Sequence, residues 1–594
     1  MRSGLLAAYA AWILPWILVS PAALPAGQAT AEAPPNVVVI LADDQGWGDF
    51  RIHGNANLET PNLDSLAQQG ARLERFYVCP VCSPTRAEFL TGRYHPRGGV
   101  RDVTRGGERL NLDEYTIAQA FQAAGYATGL FGKWHNGSQY PYHPLARGFQ
   151  EYYGFPSGHW GIYFQPPLEQ NGEWVRGTGY ITDDLTDRAI RFIEGNQGRP
   201  FFCYLAYNTP HSPFQVPDRF YDKFRDKPIE LRHAGPEPEN IDVTRAALAM
   251  CENIDWNVGR LLESLERRGI SRDTIVIYFS DNGPNSTRWN GGFRGRKGST
   301  DEGGVRSACF IRRPGVIPAG RKITQIAAAI DLFPTLVDLT GIPCHPPKKW
   351  DGMSLAPWLL GQRDDTVDRR VFSHWNGRVS VHTQRFILDH QGRLYDLEND
   401  PAQKVAVQSQ FPEIAAELSR AVATWRKDVL PSSRDDRPFP VGYREYPTTY
   451  LPARDGVPSG EIQRSAPAPN CSFFTHWKAL SDTVTWDVEV HTPGEYEAVL
   501  LYTCPASDVG SLVELSLGES RVTAAISEPF DPPLRGAEFD RVPRTGESYV
   551  KDFKPLVLGT LRLSPGRGAL TLKAKEIAGE QVADVRAVVL RLLP

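Results

Sequence analysis

Between residues 36 and about 430, short apolar runs alternate with stretches of helical periodicity. The run 36–42 (NVVVILA) is nearly continuous and β-branched, the pattern of a strand buried on both faces. The runs 127–131, 201–207 and 274–280 (TIVIYFS) read the same way, whereas 116–124, 183–194, 243–268 and 411–429 carry apolar residues at helical spacing. Strands separated by helices predict an α/β unit over residues 35–430, with a mostly parallel central sheet flanked by helices. The stretch 392–401 (GRLYDLENDP) reads as strand and turn within a small C-terminal antiparallel subdomain from about 365 to 430.

The pattern then changes. Pro438, Pro440, Pro447, Pro452 and Pro458 crowd a segment with little periodicity, which predicts a surface linker over 431–465. Beyond it, 483–490 (TVTWDVEV) alternates apolar and polar residues, and 496–503, 511–517, 521–526 and 570–575 continue in that style. Short alternating strands without helices predict an appended all-β sandwich over 466–594.

The first residues differ from both regions. Arg2 precedes an apolar run over 5–19, and small residues lead to Ala29-Thr30-Ala31. This order predicts a secretory signal over 1–31 and a secreted or periplasmic protein after cleavage. The run is shorter than the ~20 residues a membrane span needs, and Pro15 interrupts it, so no stable span is expected. A chain of 594 residues exceeds one hydrophobic core, in keeping with two or more domains. Its formal net charge of −4 supplies no basic field, which argues against a nucleic-acid partner. The 53 glycines and 48 prolines follow no period, which excludes collagen-like and low-complexity chains. For an exported protein the eight cysteines raise the question of disulfides, with Cys471 and Cys504, both beside strand-like sequence, a candidate pair.

Chemistry gathers where the predicted strands end. The first runs into Asp43-Asp44-Gln45, the 127–131 strand into Lys133-Trp134-His135, the 201–207 strand into Pro210-His211, and the 274–280 strand into Asp281-Asn282. Ligands bind outside the carboxyl ends of strands in open α/β sheets. Asp43, Asp44, Asp281 and Asn282 offer only oxygen, the ligand set of a hard divalent cation such as Ca²⁺ or Mg²⁺. Lys133, His135, His211 and Lys297 add cations and proton carriers suited to an anionic substrate. The residues therefore predict a metal-assisted hydrolase of a phosphate or sulfate ester, with the nucleophile still to be named.

Cys82-Ser83-Pro84-Thr85-Arg86, followed by Thr91-Gly92-Arg93, resembles the maturation motif of the type I sulfatases of the alkaline phosphatase superfamily. The order of the other motifs fits as well: Asp43 to Asp49, the GKWH run at 132–135, Pro210-His211, Asp281-Asn282-Gly283, Lys297 ahead of Glu302-Gly303-Gly304, and the late YDLENDP. The resemblance covers about residues 36–430. It implies oxidation of Cys82 to Cα-formylglycine by a separate sulfatase-maturing enzyme, and a Ca²⁺ ion held by Asp43, Asp44, Cys82, Asp281 and Asn282. It further implies that a hydroxyl of the hydrated aldehyde attacks sulfur, with Lys133 and Lys297 offsetting charge. His211, with Lys297, would protonate the leaving oxygen, His135 would deprotonate the second hydroxyl to expel sulfate, and Arg86 would hold the formylglycine. Ser157 and His159 (PSGHW) fall where related enzymes contact sulfate or substrate, and Gln45 and Asp49 are read as supports behind the ligands.

Export, a calcium site and an appended sandwich point to a sulfated carbohydrate as substrate. Aromatics between His135 and Gln165, including Trp160, suit either sugar stacking or core packing. Two other readings stay open: a phosphodiester or phosphonate monoester hydrolase using the same formylglycine and metal site, and a non-catalytic binder of sulfated glycans. The sandwich is read either as a carbohydrate-binding module or as a domain that packs on the catalytic unit and shapes its cleft.

Overall fold

Alternate residues of the strand Asn36–Asp43 face opposite sides of the sheet, and both sides are covered. Val37, Val39 and Leu41 join one core with Phe89 and Leu90 of the helix Cys82–Thr91 and with Phe121 and Leu336. Val38, Ile40 and Ala42 join a second core with Leu185 and Ile193 of the helix Ile181–Gly195 and with Leu248, Ile254 and Leu261 of the helix Ile241–Arg267. Each Val, Leu or Ile so buried contributes roughly 1.5–3 kcal/mol, which is why the run is continuous rather than alternating. The long helix begins where the Asn240 side chain accepts from the backbone N–H groups of Asp242 and Val243.

In this computed structural model, which describes residues 34–431 and 435–594 together with Met1, that strand lies inside a ten-stranded sheet. Its heart is five parallel strands in the order Thr274–Ser280, Asn36–Asp43, Phe201–Pro210, Ala127–Lys133 and Glu151–Phe155. Val37 pairs with both Phe202 and Ile275, which sets the strand ends level with one another. Antiparallel strands extend both edges, among them the hairpin Pro167–Gln170 and Glu173–Arg176. The expected α/β architecture is present, with strands and helices within a few residues of their predicted bounds. The predicted signal segment lies, beyond Met1, outside the described residues. No helix among the described residues is long and apolar enough to cross a membrane.

A four-stranded antiparallel meander follows, Val371–Trp375, Arg378–His382, Phe386–Leu388 and Leu394–Asp396, with the helix Pro412–Val429 packed on it. The rest of the chain forms two six-stranded sheets around a single apolar core that includes Trp486, Leu500, Leu572 and Leu590. Thr483–Val490 alternates buried and less buried positions, as a strand of a sandwich with one wet face should.

Two expectations need correction. Within the predicted linker 431–465, the residues from 439 onward are not free-running: Phe439–Val441, Thr448–Pro452, Val457–Ser459 and Gln463–Arg464 are strands of the sandwich sheets. Pro440, Pro452 and Pro458 fit because these strands lie at sheet margins, where a missing N–H breaks no central ladder. Cys471 and Cys504 are not bridged, and all eight cysteines are free thiols. The Cys471 thiol instead lies 3.3 Å from the carbonyl of His159 in the catalytic unit, while Cys504 belongs to the sandwich core.

Sandwich and catalytic unit are closely joined. Gln215 donates to Asp540 (2.7 Å) and to the Gly536 carbonyl, Arg541 donates to the Val216 carbonyl (2.6 Å), and Phe164 stacks on Phe539 with centroids 4.6 Å apart.

Candidate active site

Parallel pairing brings four strand ends to one edge, and the residues that follow them converge there. Asp43 ends its strand, and Asp44 turns away with a positive φ of 66°. Lys133 ends the Ala127–Lys133 strand, His211 follows Phe201–Pro210, and Asp281 and Asn282 follow Thr274–Ser280. Opposite them the helix Cys82–Thr91 begins, with Cys82 its first residue. Arg86 stands one turn later on the same face, so both side chains enter the cluster.

The charges are buried and paired. Asp43 and Asp44 are 1% and 0% exposed, and Arg86, Lys133, Asp281 and Asn282 are each 0% exposed. The Lys133 ammonium lies 2.6 Å from Asp43, and Arg86 lies 2.8 Å from Asp281 while donating to the Lys133 carbonyl. Lys297 lies 2.7 Å from Asp44, Asn282 donates to Asp44 at 2.7 Å, and His211 Nε2 approaches Asp44 to 3.5 Å. One ligand atom from each of Asp43, Asp44, Cys82 and His211 can be chosen so that all lie within 4.8 Å of one another.

Electrostatics follow from this crowding. Burial penalises the Asp43 carboxylate, but Lys133, His211, Arg86 and Lys297 outweigh that penalty and hold its pKa well below the usual range. Burial and the neighbouring Asp43 push Asp281 up to about 7 against the pull of Arg86. Burial also raises the Cys82 thiol well above its ordinary value despite Lys133 and Lys297, so as a plain cysteine it stays protonated. Lys297 is desolvated too, yet Asp44 raises its pKa and keeps it an ammonium.

Two histidines have readable tautomers. A carbonyl can only accept, so the 2.8 Å contact from His135 Nε2 to the Val103 carbonyl places the proton on Nε2. That leaves His135 Nδ1 buried and without a partner among the described residues, and burial with Lys133 nearby keeps the ring neutral. His211 Nδ1 lies 2.7 Å from the Ser212 carbonyl, so Nε2 is the nitrogen that faces Asp44.

The oxygens fit a hard cation. Asp43 Oδ1 and Asn282 Oδ1 are buried and have no hydrogen-bond partner among the described residues, an arrangement expensive to maintain unless another group meets them. With Asp44 and Asp281 they form an all-oxygen set suited to calcium rather than zinc.

The contacts above join Asp43, Asp44, Arg86, Lys133, His211, Asp281, Asn282 and Lys297, and Cys82 lies with Asp43, Asp44 and His211. The 157–159 loop lies against His135: a Cβ on Gly158 would fall 2.1 Å from His135 Nε2, so only glycine allows this approach. Ser157 and His159 are buried, and neither the Ser157 hydroxyl nor either His159 ring nitrogen has a hydrogen-bond partner among the described residues; the His159 ring centroid is 5.4 Å from that of His211. Asp49 and Gln45 stand behind the ligands. Arg288 bonds Asp49 and donates to the Asp44 carbonyl, and Gln45 receives the Tyr278 hydroxyl and donates its backbone N–H to Ser280. One neighbour has no sequence signal. Glu547, from the sandwich, lies 3.8 Å from His159 and accepts from Ser212 beside His211.

A helix-flanked sheet with this acid, lysine and histidine cluster outside its strand ends defines a hydrolase of the alkaline phosphatase superfamily. The profile of the sulfatase family matches residues 35–342, more than half of the 594, and the chain belongs to that family of sulfuric ester hydrolases. It is 32% identical over 382 residues to the N-acetylgalactosamine-6-sulfatase of Canis lupus familiaris, covering 58% of this chain and 69% of that one. It is 32% identical over 475 residues to arylsulfatase J of Mus musculus, covering 67% and 76%. Among solved structures, Ps i-CgsB in complex with k-i-k-neocarrahexaose matches with a TM-score of 0.62 and 30% identity, covering 68% of this chain and 95% of that one.

Proposed function

We propose that this sulfatase releases sulfate from a sulfated carbohydrate outside the cytosol, after removal of the signal segment 1–31. The observation that carries the reading is Cys82 at a helix N-terminus, with Arg86 one turn on, among two buried oxygens without a hydrogen-bond partner among the described residues, the buried Lys133 and the partly exposed Lys297. The carbohydrate class is supported by a relative named N-acetylgalactosamine-6-sulfatase and by a structural match solved in complex with k-i-k-neocarrahexaose.

Asp43, Asp44, Asp281 and Asn282, with residue 82, would hold a calcium ion, whose charge when bound polarises the oxygens that meet it. Oxidised to Cα-formylglycine, residue 82 supplies a hydrated aldehyde as nucleophile. The protein's own residues account for the rest. Lys133 and Lys297 set ammonium groups against the sulfuryl oxygens, where charge develops. His211, with Nδ1–H given to the Ser212 carbonyl, serves the leaving oxygen in its imidazolium form, whose second proton sits at Nε2 beside Asp44. His135, neutral and pinned through Nε2–H, offers Nδ1 as a proton acceptor. Arg86 fixes both Asp281 and the backbone at Lys133, so it orders the cluster as well as adding charge. Ser157 and His159 line the substrate side.

The test is sulfate release from a panel of sulfated oligosaccharides by the mature protein with calcium, beside Cys82→Ala and with mass spectrometry of residue 82. Release by the wild type alone, with an aldehyde at 82, is expected. Aldehyde present and phosphonate or phosphodiester turnover exceeding every sulfate ester would overturn the substrate reading.

A further inference from the structure

The loop that carries Ser157 and His159 continues directly into Trp160, and there the catalytic unit meets the sandwich. A Cβ on Gly161 would fall 2.5 Å from Val550, so the two surfaces approach as closely as glycine permits. At this seam a cleft of about 220 Å³ opens, several times the ~30 Å³ that one water takes in the liquid. Trp160 and Trp174 of the catalytic unit form one wall. Tyr450, Phe473 and Phe553 form much of the other, with Arg535 and Lys551 among the lining residues.

Four observations bear on what fills it. The walls are aromatic: Trp160 and Trp174 lie nearly parallel, 11° apart with centroids 6.2 Å apart, and Tyr450 is 5.6 Å from Trp174. Trp174 is 50% exposed, so half of its indole is open to a ligand. Trp160 is 6% exposed, yet its indole N–H has no partner among the described residues, although buried Trp N–H groups usually find one. The polar groups are fixed in place, Lys551 by Asp584 at 2.6 Å and Arg535 by Asp552 at 3.2 Å. The half-open indole of Trp174, backed by Trp160 and flanked by Tyr450, with the anchored N–H groups of Lys551 and Arg535 among the lining, matches a pyranose ring, which has an apolar face and a rim of hydroxyls.

Continuity sets the ligand. His159, one residue before Trp160, faces His211 and Glu547, so the cleft and the sulfate site share a loop. We propose that this cleft is a subsite for a second sugar ring of the same glycan, adjoining the ring that bears the cleaved sulfate. The sandwich then acts as half of the substrate-binding surface, not as a separate glycan-binding module. This rests on the reading of the chain as a carbohydrate sulfatase and goes further by assigning a length requirement to the substrate.

Calorimetric titration of the full-length Cys82→Ala protein measures the subsite without turnover. The probes are sulfated disaccharides from galactan and glycosaminoglycan chains and the sulfated monosaccharides that make them up. At least one disaccharide is expected to bind about tenfold tighter than its sulfated monosaccharide, and Trp174→Ala to erase that ratio while monosaccharide affinity holds. The half-exposed position of Trp174 lets this variant fold, and Tyr450→Phe, which keeps the ring, should preserve the ratio. A ratio near one for every pair, or one that survives Trp174→Ala, overturns the subsite. Sulfate release by the wild-type enzyme is scored separately. Failure to release sulfate from any sugar counts against the carbohydrate-sulfatase reading, while the binding ratio still decides whether the cleft holds a sugar ring.

Discussion

At the carboxyl ends of the parallel strands Asp43, Asp44, Arg86, Lys133 and Asp281 are sealed from solvent, whereas the ion pairs of the sandwich strands stand wholly or partly in water. Arg567–Asp487 and Arg591–Glu497 are half-exposed pairs on sandwich strands, and Lys573–Glu514 is partly so. The sandwich keeps its interior apolar around Trp486 and Leu572. Burying a charge costs several kcal/mol unless it is paired and hydrogen-bonded, so a fold that buries five at one edge does so where chemistry uses them. The comparison teaches a division of labour. The α/β unit holds the buried charge cluster, and the sandwich supplies a stable wall that reaches it at Glu547.

The sharpest test of that division is Asp281→Ala. It removes a proposed metal-ligand oxygen and leaves Arg86 buried and without its carboxylate partner. Activity should fall by more than the ~10–100-fold typical of losing a residue behind a metal ligand, and stability by about 3–5 kcal/mol. Asn282→Ala strands no charge, so it should lose calcium-dependent stabilisation in thermal melts while the calcium-free melt stays near the wild type. Equal destabilisation by the two variants would count against the buried-pair account.

Trp486→Ala probes the other side. Its indole is fully buried and donates to the Pro452 carbonyl, so urea unfolding should lose about 3–5 kcal/mol. Turnover of a small aryl sulfate by the folded fraction should stay within about twofold, since the change opens a cavity away from the reacting groups. A large loss of turnover in folded protein would break the division.

Glu302 tests whether buried charge in the α/β unit also serves stability away from the strand ends. Burial works against its carboxylate, but His382 at 3.1 Å and Arg306 at 2.9 Å lower its pKa to about 2. A depressed folded-state value means the stabilisation is full above the ordinary carboxylate pKa and fades as pH falls toward 2. Glu302→Gln should therefore be less stable than the wild type by about 3 kcal/mol at neutral pH, with the gap closing in acid melts. A gap independent of pH would refute the ionic origin. The smallest effect is expected for Arg591→Ala, whose exposed pair should leave the urea midpoint unchanged within error.

Much of the catalytic unit is legible in the chain because a strand buried on both faces writes an unbroken apolar run, and the next residues are then at the sheet edge by construction. Asp43, Lys133, His211 and Asp281 are found this way, and the Cys82-to-Arg86 motif adds the helix that faces them. Glu547 is not legible. It sits in an irregular segment of the sandwich, 335 residues from Ser212, and its role depends on a contact with no local pattern. The same blindness turns 431–465 into a linker, since proline density reports a missing N–H without reporting whether the strand is at an edge. It also suggests pairing Cys471 with Cys504, because spacing says nothing of which core each thiol enters.

Local order, then, was determined by the sequence itself: which segments become strands, which residues follow them, and the chemical kind of the cluster, all set by side-chain periodicity and residue type over a few positions. Tertiary structure alone decided that an appended sandwich closes the cleft, that Glu547 meets His159, and that Trp160, Trp174 and Tyr450 share one pocket. Those outcomes depend on how two independently patterned cores dock, and docking is governed by surface shape and polar complementarity between residues hundreds of positions apart.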